Sequence, residues 1–367
     1  MFGSEILFNG YYGQKNIGDD AFVEASKWGA TEYWKKHDVR YLAKNKDLPI
    51  CLSSVNGYPL SIPGTYKYQQ AFMMNSADYI ISAGGSTFYD AGHGTIKYSI
   101  LKNKGKRTKI GAIGVSVGPF KNLAEERSLN NYLSKMSFLC VRDQRSFDYV
   151  NSLALPYKPV NAFDLAALLP RIYSKRINQL EKSNKKIIGL SLCNYESYIK
   201  DGDLKNEDRR NSFIEQVIRK LNQSEDYCFR FYIFNGNEKV GDYNLTKTIV
   251  SKIPNLDYEI VDYSRETEKT FQSIRECDVM LSTRLHASIF ACFAEVPFFL
   301  IEYHKKCSDF LTDIGQGEMY RVLDAEISSD KLCYSVMDII EGKNYLPPKN
   351  VKLMIDKAEL NFSAINI

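Results

Sequence analysis

Histidine and tryptophan are scarce in this chain, with four and two residues among 367. No CxxC pair occurs and no cysteine–histidine spacing matches a zinc site, so a structural zinc module is excluded. Long apolar runs are lacking too. The most apolar stretch, residues 289–301, is interrupted by Glu295 and Pro297, and a membrane span needs roughly 18 uninterrupted residues. Excess charge of one sign is small: 48 Lys and Arg against 44 Asp and Glu leave +4. Nucleic-acid binders concentrate far more basic charge on one face, so no nucleic-acid partner is expected. The opening Met1-Phe2-Gly3-Ser4-Glu5 lacks the basic and apolar regions of a signal peptide. The eight cysteines are scattered, several in apolar runs such as Phe138-Leu139-Cys140-Val141, where a thiol acts as a small hydrophobe. A soluble protein in a reducing, cytoplasmic setting is the expectation, with peripheral contact at the inner face of a membrane left open.

What is present is the composition of a globular chain that buries a core: 44% apolar and 25% charged residues. The length suits two domains of roughly 150–200 residues. The 25 Tyr and 20 Phe are read first as packing and only second as sugar-stacking surfaces. One dense basic stretch, Lys102, Lys104, Lys106, Arg107 and Lys109, reads as a solvated loop ahead of a lipid-docking patch.

Short apolar runs alternate with helical patterns, which predicts an α/β protein with mainly parallel sheets and crossover helices. Predicted strands cover 6–9, 79–83, 109–115, 139–142 and 160–163 in the first half. In the second they cover 187–192, 229–234, 258–261, 279–282 and 298–301. Helices are expected over 21–35, 145–153, 208–221, 243–253, 265–276, 285–293 and 351–361. The polar run 173–186 is the expected break. Two Rossmann-like domains (1–172 and 173–345) would then face each other across a cleft, followed by a C-terminal helix over 346–367. Whether that helix packs back on the first domain is left open.

The chemistry-bearing motifs stand at predicted strand ends. Gly10 to Ala21, containing Asn16-Ile17-Gly18-Asp19-Asp20, follows the first strand and opens a helix. It is neither GxGxxG nor a P-loop, so no dinucleotide is indicated. Asp19 reads equally as an orienting or basic carboxylate and, with Asp20, as a helix cap. Ser82-Ala83-Gly84-Gly85-Ser86-Thr87 and the glycine-dense segment Gly111 to Gly118 permit close approach of backbone or ligand. In Val141-Arg142-Asp143-Gln144-Arg145-Ser146, Asp143 reads as a cap and Arg142 either reaches the cleft or pairs with Asp143. The most informative element is Ser282-Thr283-Arg284-Leu285-His286-Ala287-Ser288. It sets Arg and His two residues apart at the positive end of a helix, a natural anion site. Glu302-Tyr303-His304-Lys305-Lys306 adds cations at another strand end, with Lys305 read as solvated.

In this order, Asn16-Ile17-Gly18-Asp19, Ala83-Gly84-Gly85, Gly114 to Pro119, Arg142-Asp143 with Ser146, Asp164, Arg284-Leu285-His286-Ala287, and Tyr303 with Lys306 resemble the polysaccharide pyruvyltransferase family. They span about residues 6–315. The resemblance implies a fold similar to GT-B glycosyltransferases, phosphoenolpyruvate as co-substrate, and no cofactor or metal. It further implies a pyruvate ketal on two hydroxyls of a sugar in capsule or exopolysaccharide synthesis. Lipid-linked and nucleotide-linked acceptors both fit, and the oligomeric state is open. One departure from the family pattern is that the glycine run of the second motif stops at Gly85. The roles implied are His286 as acid or phosphate ligand and Asp19 as acceptor-side base. Arg284, Leu285, Lys306 and Arg142 would bind the donor, and Asn16, Gly84, Gly85 and Gly118 would line the site. Competing readings are a GT-B nucleotide-sugar glycosyltransferase and a non-catalytic sugar-binding or scaffold protein.

Overall fold

A computed structural model describes residues 2–88, 108–176, 185–199, 202–324, 328–343 and 345–367. Lys102, Lys104, Lys106 and Arg107, and most of the expected break over 173–186, lie outside these residues.

The first sheet contains β1 (Ser4–Asn9), β2 (Val39–Tyr41), β3 (Ala77–Phe88), β4 (Lys109–Val117), β5 (Phe138–Val141) and β6 (Val160–Asn161), in the order β2-β1-β3-β4-β5-β6. The second contains β7 (Lys186–Ser191), β8 (Tyr227–Tyr232), β9 (Tyr258–Val261), β10 (Val279–Ser282), β11 (Phe298–Glu302) and β12 (Val322–Leu323), in the order β12-β11-β10-β7-β8-β9. All pairings are parallel. Parallel strands are covered on both faces, which explains why they read as continuous apolar runs rather than alternating ones. Sequence order reverses between β1 and β3 and between β7 and β10. In open parallel sheets such switch points open a crevice at the carboxyl ends of the strands.

The helices are α1 (Ile17–Glu32), α2 (Tyr66–Ser76), α3 (Leu123–Leu133), α4 (Gln144–Asn151), α5 (Leu169–Ile172), α6 (Leu204–Leu221), α7 (Tyr243–Ser251), α8 (Thr267–Arg275), α9 (Leu285–Phe293), α10 (Lys305–Asp313), α11 (Ser329–Ile340) and α12 (Val351–Ser363). Helix α1 starts four residues before the expected 21 because Asn16 caps it, its side chain accepting from the Gly18 N–H at 3.0 Å. Asp19 and Asp20 therefore occupy the first turn instead of preceding the helix, where the exposed N–H dipoles favour acidic side chains.

Helix α1 is buried on almost every side, because it packs against β3 of the first sheet and against α8 and α9 of the second half. One core combines Ile6, Phe8 and Phe22 from the first half with Phe234, Phe271 and Phe290 from the second. The β1–α1 loop is also stitched to the second half by backbone bonds: Ile17 N–H to Phe234 O at 2.9 Å and Gly236 N–H to Lys15 O at 2.8 Å. Helix α12 lays Met354, Ala358, Asn361 and Phe362 on the first half. Asn361 accepts from the Gly114 N–H at 2.6 Å and donates to Phe163 O at 2.8 Å, and Trp34 Nε1 donates to Phe362 O at 3.0 Å. Among the described residues no helix is long and apolar enough to cross a membrane.

Candidate active site

The carboxyl ends of β1, β3, β5, β10 and β11 converge on one cavity of about 170 Å³, lined by Asn16, Asp19, Gly85, Arg142, Phe234, Arg284, Leu285, His286, Tyr303 and Lys306. Residues up to 290 positions apart in the chain meet there because most follow a strand, where the chain turns out of the sheet, while Gly85 stands near the carboxyl end of β3. Of the residues singled out from the sequence, Gly84 and Gly118 are not in this lining. Gly84 has a φ of +77°, and a Cβ there would lie 2.3 Å from the Phe22 ring. Its close approach is thus to protein, and Gly85 is the residue of the pair that faces the cavity. Gly118 lines a second, larger cavity that adjoins the first across Arg142, Leu285 and Lys306.

Arg142 is 7% exposed. It donates from Nη1 to Asp164 Oδ2 at 2.7 Å and from Nε to Ser116 Oγ at 2.7 Å. Its carboxylate partner is Asp164, not the neighbouring Asp143 that the sequence suggested. Asp143 instead caps α4 through the Ser146 N–H at 2.7 Å and accepts from Ser116 Oγ at 2.6 Å. Arg284 is held by Asp242, which receives its Nε at 3.0 and 3.1 Å and its Nη2 in a further hydrogen bond. Asp242 is 1% exposed and also accepts from the Asn235 N–H at 2.9 Å. Nothing in the sequence marked it: standing before α7 it reads as an ordinary cap, yet its side chain makes no capping bond.

His286 sits in the first turn of α9, edge-on to Phe22 with ring centroids 5.1 Å apart. Its Nε2 is buried without a hydrogen-bond partner and lies 3.9 Å from Asp164 Oδ2. A Cβ on Gly18 would come within 2.3 Å of His286 Nδ1, so the glycine of the first motif is the seat on which this imidazole rests. Lys306 follows β11 in the first turn of α10, its N–H donating to His304 Nδ1 at 3.1 Å. Lys305, expected in a solvated loop, is the first residue of that helix, with 65% of its side chain exposed.

The burial and clustering of these groups set where protons reside. Burial pushes His286 down to about 4; Asp164 opposes this, while Arg142, Lys306 and Arg284 reinforce it. Burial lifts Asp19 to about 8, with Asp20 adding to the rise and Arg142 pulling against it. Lys306 is lowered by burial and by the repulsion of Arg142 and Arg284. Burial thus favours the neutral imidazole of His286 and the protonated form of Asp19. Arg142 and Arg284 are each paired with a buried carboxylate, so Lys306 carries the positive charge that neither pair cancels, and the three together favour an anion there. Among the described residues no group of three or more His, Cys, Asp or Glu could hold a metal ion.

A model of the polysaccharide pyruvyl transferase family matches residues 11–305. The chain belongs to this family. Every residue lining the smaller cavity except Lys306 falls inside the matched span. No curated protein matches the chain. Among solved structures it is similar to the UDP-GlcNAc 2-epimerase from Neisseria meningitidis bound to UDP-GlcNAc, at 12% identity and TM-score 0.53, covering 98% of this chain and 96% of that one. It is similar to the UDP-GlcNAc 2-epimerase from Methanocaldococcus jannaschii at 13% identity and TM-score 0.53, with 94% of each covered. A third is the wall teichoic acid polymerase TagF, at 12% identity and TM-score 0.52, covering 99% and 85%. These likenesses establish the fold: this polysaccharide pyruvyl transferase has the GT-B fold, and residues from both halves of the chain line its cavity.

Proposed function

We propose that this transferase moves pyruvate from phosphoenolpyruvate to two hydroxyls of a sugar, forming a ketal in the synthesis of a surface polysaccharide. The observation that carries the reading is the convergence of Arg142, Arg284, Lys306 and His286 on the cavity that also holds Asp19. Phosphoenolpyruvate presents a phosphate and a carboxylate on three carbons. Lys306 beside the two carboxylate-paired guanidiniums, in a cavity of about 170 Å³, suits an anion of that kind and size.

The proton inventory favours an exchange of the two acid–base roles expected from the sequence. In this scheme the Asp19 carboxyl, whose proton burial helps to retain, gives that proton to the enol methylene carbon, leaving an oxocarbenium-like centre. A sugar hydroxyl adds there while neutral His286 takes its proton, and the resulting imidazolium is stabilised by Asp164 and the phosphate. The second hydroxyl then displaces phosphate, its proton departing on the leaving group. Solvent exchange resets Asp19 and His286. The two pKa values, driven in opposite directions by one environment, suit an acid and a base working at the same pH.

Acceptor-dependent phosphate release tests the roles. His286→Ala and Asp19→Asn should each lower turnover by about 10² to 10⁴, the usual contribution of one acid–base group. Near-normal turnover in either variant removes that residue from the mechanism.

A further inference from the structure

Arg210, on α6, is 1% exposed and lines neither cavity. Its Nη1 and Nη2 donate to the two carboxylate oxygens of Glu196 at 3.0 and 2.6 Å, and its Nε and Nη2 donate to those of Asp324 at 3.1 Å each. Arg209 also pairs with Asp324, at 3.0 Å, so two cations and two acids balance. The flat face of Arg210 lies on the Tyr303 ring, with the guanidinium carbon 4.7 Å from the ring centroid.

Burying such a cluster gains little stability, since apolar side chains of the same volume often do as well. What a rigid fork held by two carboxylates supplies is a fixed plane. The acids come from separate places: Glu196 follows β7 and Asp324 follows β12. Strand β11, which Tyr303 follows, lies between those two strands in the sheet. The fork therefore ties the chain on both sides of Tyr303 and presses its flat face on the ring between them.

Tyr303 is the link to the site. It lines the smaller cavity, and its hydroxyl meets the Cys193 thiol, a weak partner, at 3.9 Å. Its ring packs on that of Tyr195, with centroids 5.2 Å apart, and the Lys306 ammonium lies 5.8 Å from the Tyr195 centroid. Helix α6 holds Tyr195 a second time: Glu207, one turn before Arg210, accepts from the Tyr195 N–H at 2.6 Å and the Ser197 N–H at 3.3 Å. The two arginines of the cavity are aimed by their carboxylates, whereas an aromatic face aims Lys306.

We infer that Arg210 is a positioning residue of the smaller cavity: it fixes the Tyr303 and Tyr195 rings that hold the Lys306 ammonium where an anion binds, without touching that anion. The inference rests on the reading of this cavity as the phosphoenolpyruvate site.

Titration calorimetry of phosphoenolpyruvate, and separately of inorganic phosphate, into the full chain tests it. Damage to the fold lowers the number of binding sites, whereas misplacement of Lys306 raises Kd. Arg210→Lys keeps the charge but loses the fork and the flat face. It should raise Kd for phosphoenolpyruvate about tenfold with the number of sites unchanged, the size of coupling found between side chains in contact. Glu196→Gln loosens the same clamp but leaves Arg210 paired with Asp324. It should raise Kd in the same direction, and it decides the matter if Arg210→Lys does not fold. Tyr303→Leu removes the link, so adding Arg210→Lys or Glu196→Gln to it should change Kd by less than about twofold. A Kd within about twofold of wild type in the folded clamp variants, or effects that simply add to that of Tyr303→Leu, overturns the inference. Wild type that binds phosphate but not phosphoenolpyruvate refutes pyruvyl transfer alone, and the same comparison on phosphate then decides the role of Arg210. Wild type that binds neither overturns both.

Discussion

Gly18 in the first turn of α1 offers a sharp test of how the site is assembled. A Cβ built there would lie 2.3 Å from His286 Nδ1 and 2.4 Å from its Cγ, far inside van der Waals contact. In an ordinary helix Gly→Ala gains about 1 kcal/mol of propensity. Here the methyl must displace an imidazole that Phe22 flanks at 5.1 Å and that faces Asp164 at 3.9 Å. Overpacking of this kind costs typically about 1–3 kcal/mol. The two effects nearly offset, so Gly18→Ala should lose between roughly zero and 2 kcal/mol of stability, a few degrees in Tm at most. Activity should respond far more, because the ring moves by about an ångström, a misplacement that can cost about 10²-fold in rate. Thermal unfolding and steady-state phosphate release on the same preparation separate the two. If Gly18→Ala keeps kcat/KM within threefold of wild type, either the seat or the role of His286 is wrong.

Two further expectations follow from buried charges. Asp242→Ala leaves Arg284 without its bidentate partner; such losses cost about 3–5 kcal/mol. The lower end applies because Arg284 keeps 23% of its side chain exposed. Denaturant unfolding should show that loss, together with a raised KM for phosphoenolpyruvate. On α1, burial lifts Asp20 and Glu24 each to about 7. Well below that pH both acids are protonated in the folded chain, whereas unfolded they ionise near 4, so the stability they contribute is complete below about pH 4. It is lost as pH rises toward 7, since the unfolded state binds fewer protons there. Burial of His286 works oppositely, adding stability between about pH 4 and 6.5. Asp20→Asn keeps an acceptor for Tyr263, whose hydroxyl donates to Asp20 at 2.8 Å. The variant should flatten the fall in Tm between pH 5 and 7, and an unchanged slope would show that Asp20 is ionised in the native state.

Much of this architecture was legible because buried parallel strands are apolar on both faces. The ten strands expected from apolar runs all correspond to strands of the two sheets. The edge strands β2 and β12, three and two residues long, were missed, although the equally short edge strand β6 was expected from the run 160–163. Helices α2, α3, α5, α10 and α11 were missed as well: the buried faces of α2 and α3 are narrow, Gln69, Met73 and Met74 in one and Leu129 and Leu133 in the other, and α5 is only four residues long. In the site, Asn16, Asp19, Arg142, Arg284, His286 and Lys306 were legible because each follows a strand, where open parallel sheets present their ligands. Asp242 was not, since its meaning depends on a guanidinium 42 residues away that only the fold brings near. The pairing of Arg142 with Asp164 was missed for the same reason: the nearest acid in sequence is not the nearest in space. The opposite pKa shifts of Asp19 and His286 were beyond the sequence altogether, because they depend on how the fold buries the two groups.

The central claim is the transfer of an intact pyruvyl group, and the most direct measurement follows its carbon. Incubation of the protein with phosphoenolpyruvate labelled with ¹³C at the enol carbon and a sugar acceptor, followed by mass spectrometry and ¹³C NMR of the product, locates that atom. The account predicts one labelled ketal carbon bonded to two oxygens of a single sugar, formed in step with phosphate. A sugar product without label, or label found only in free pyruvate, would contradict it.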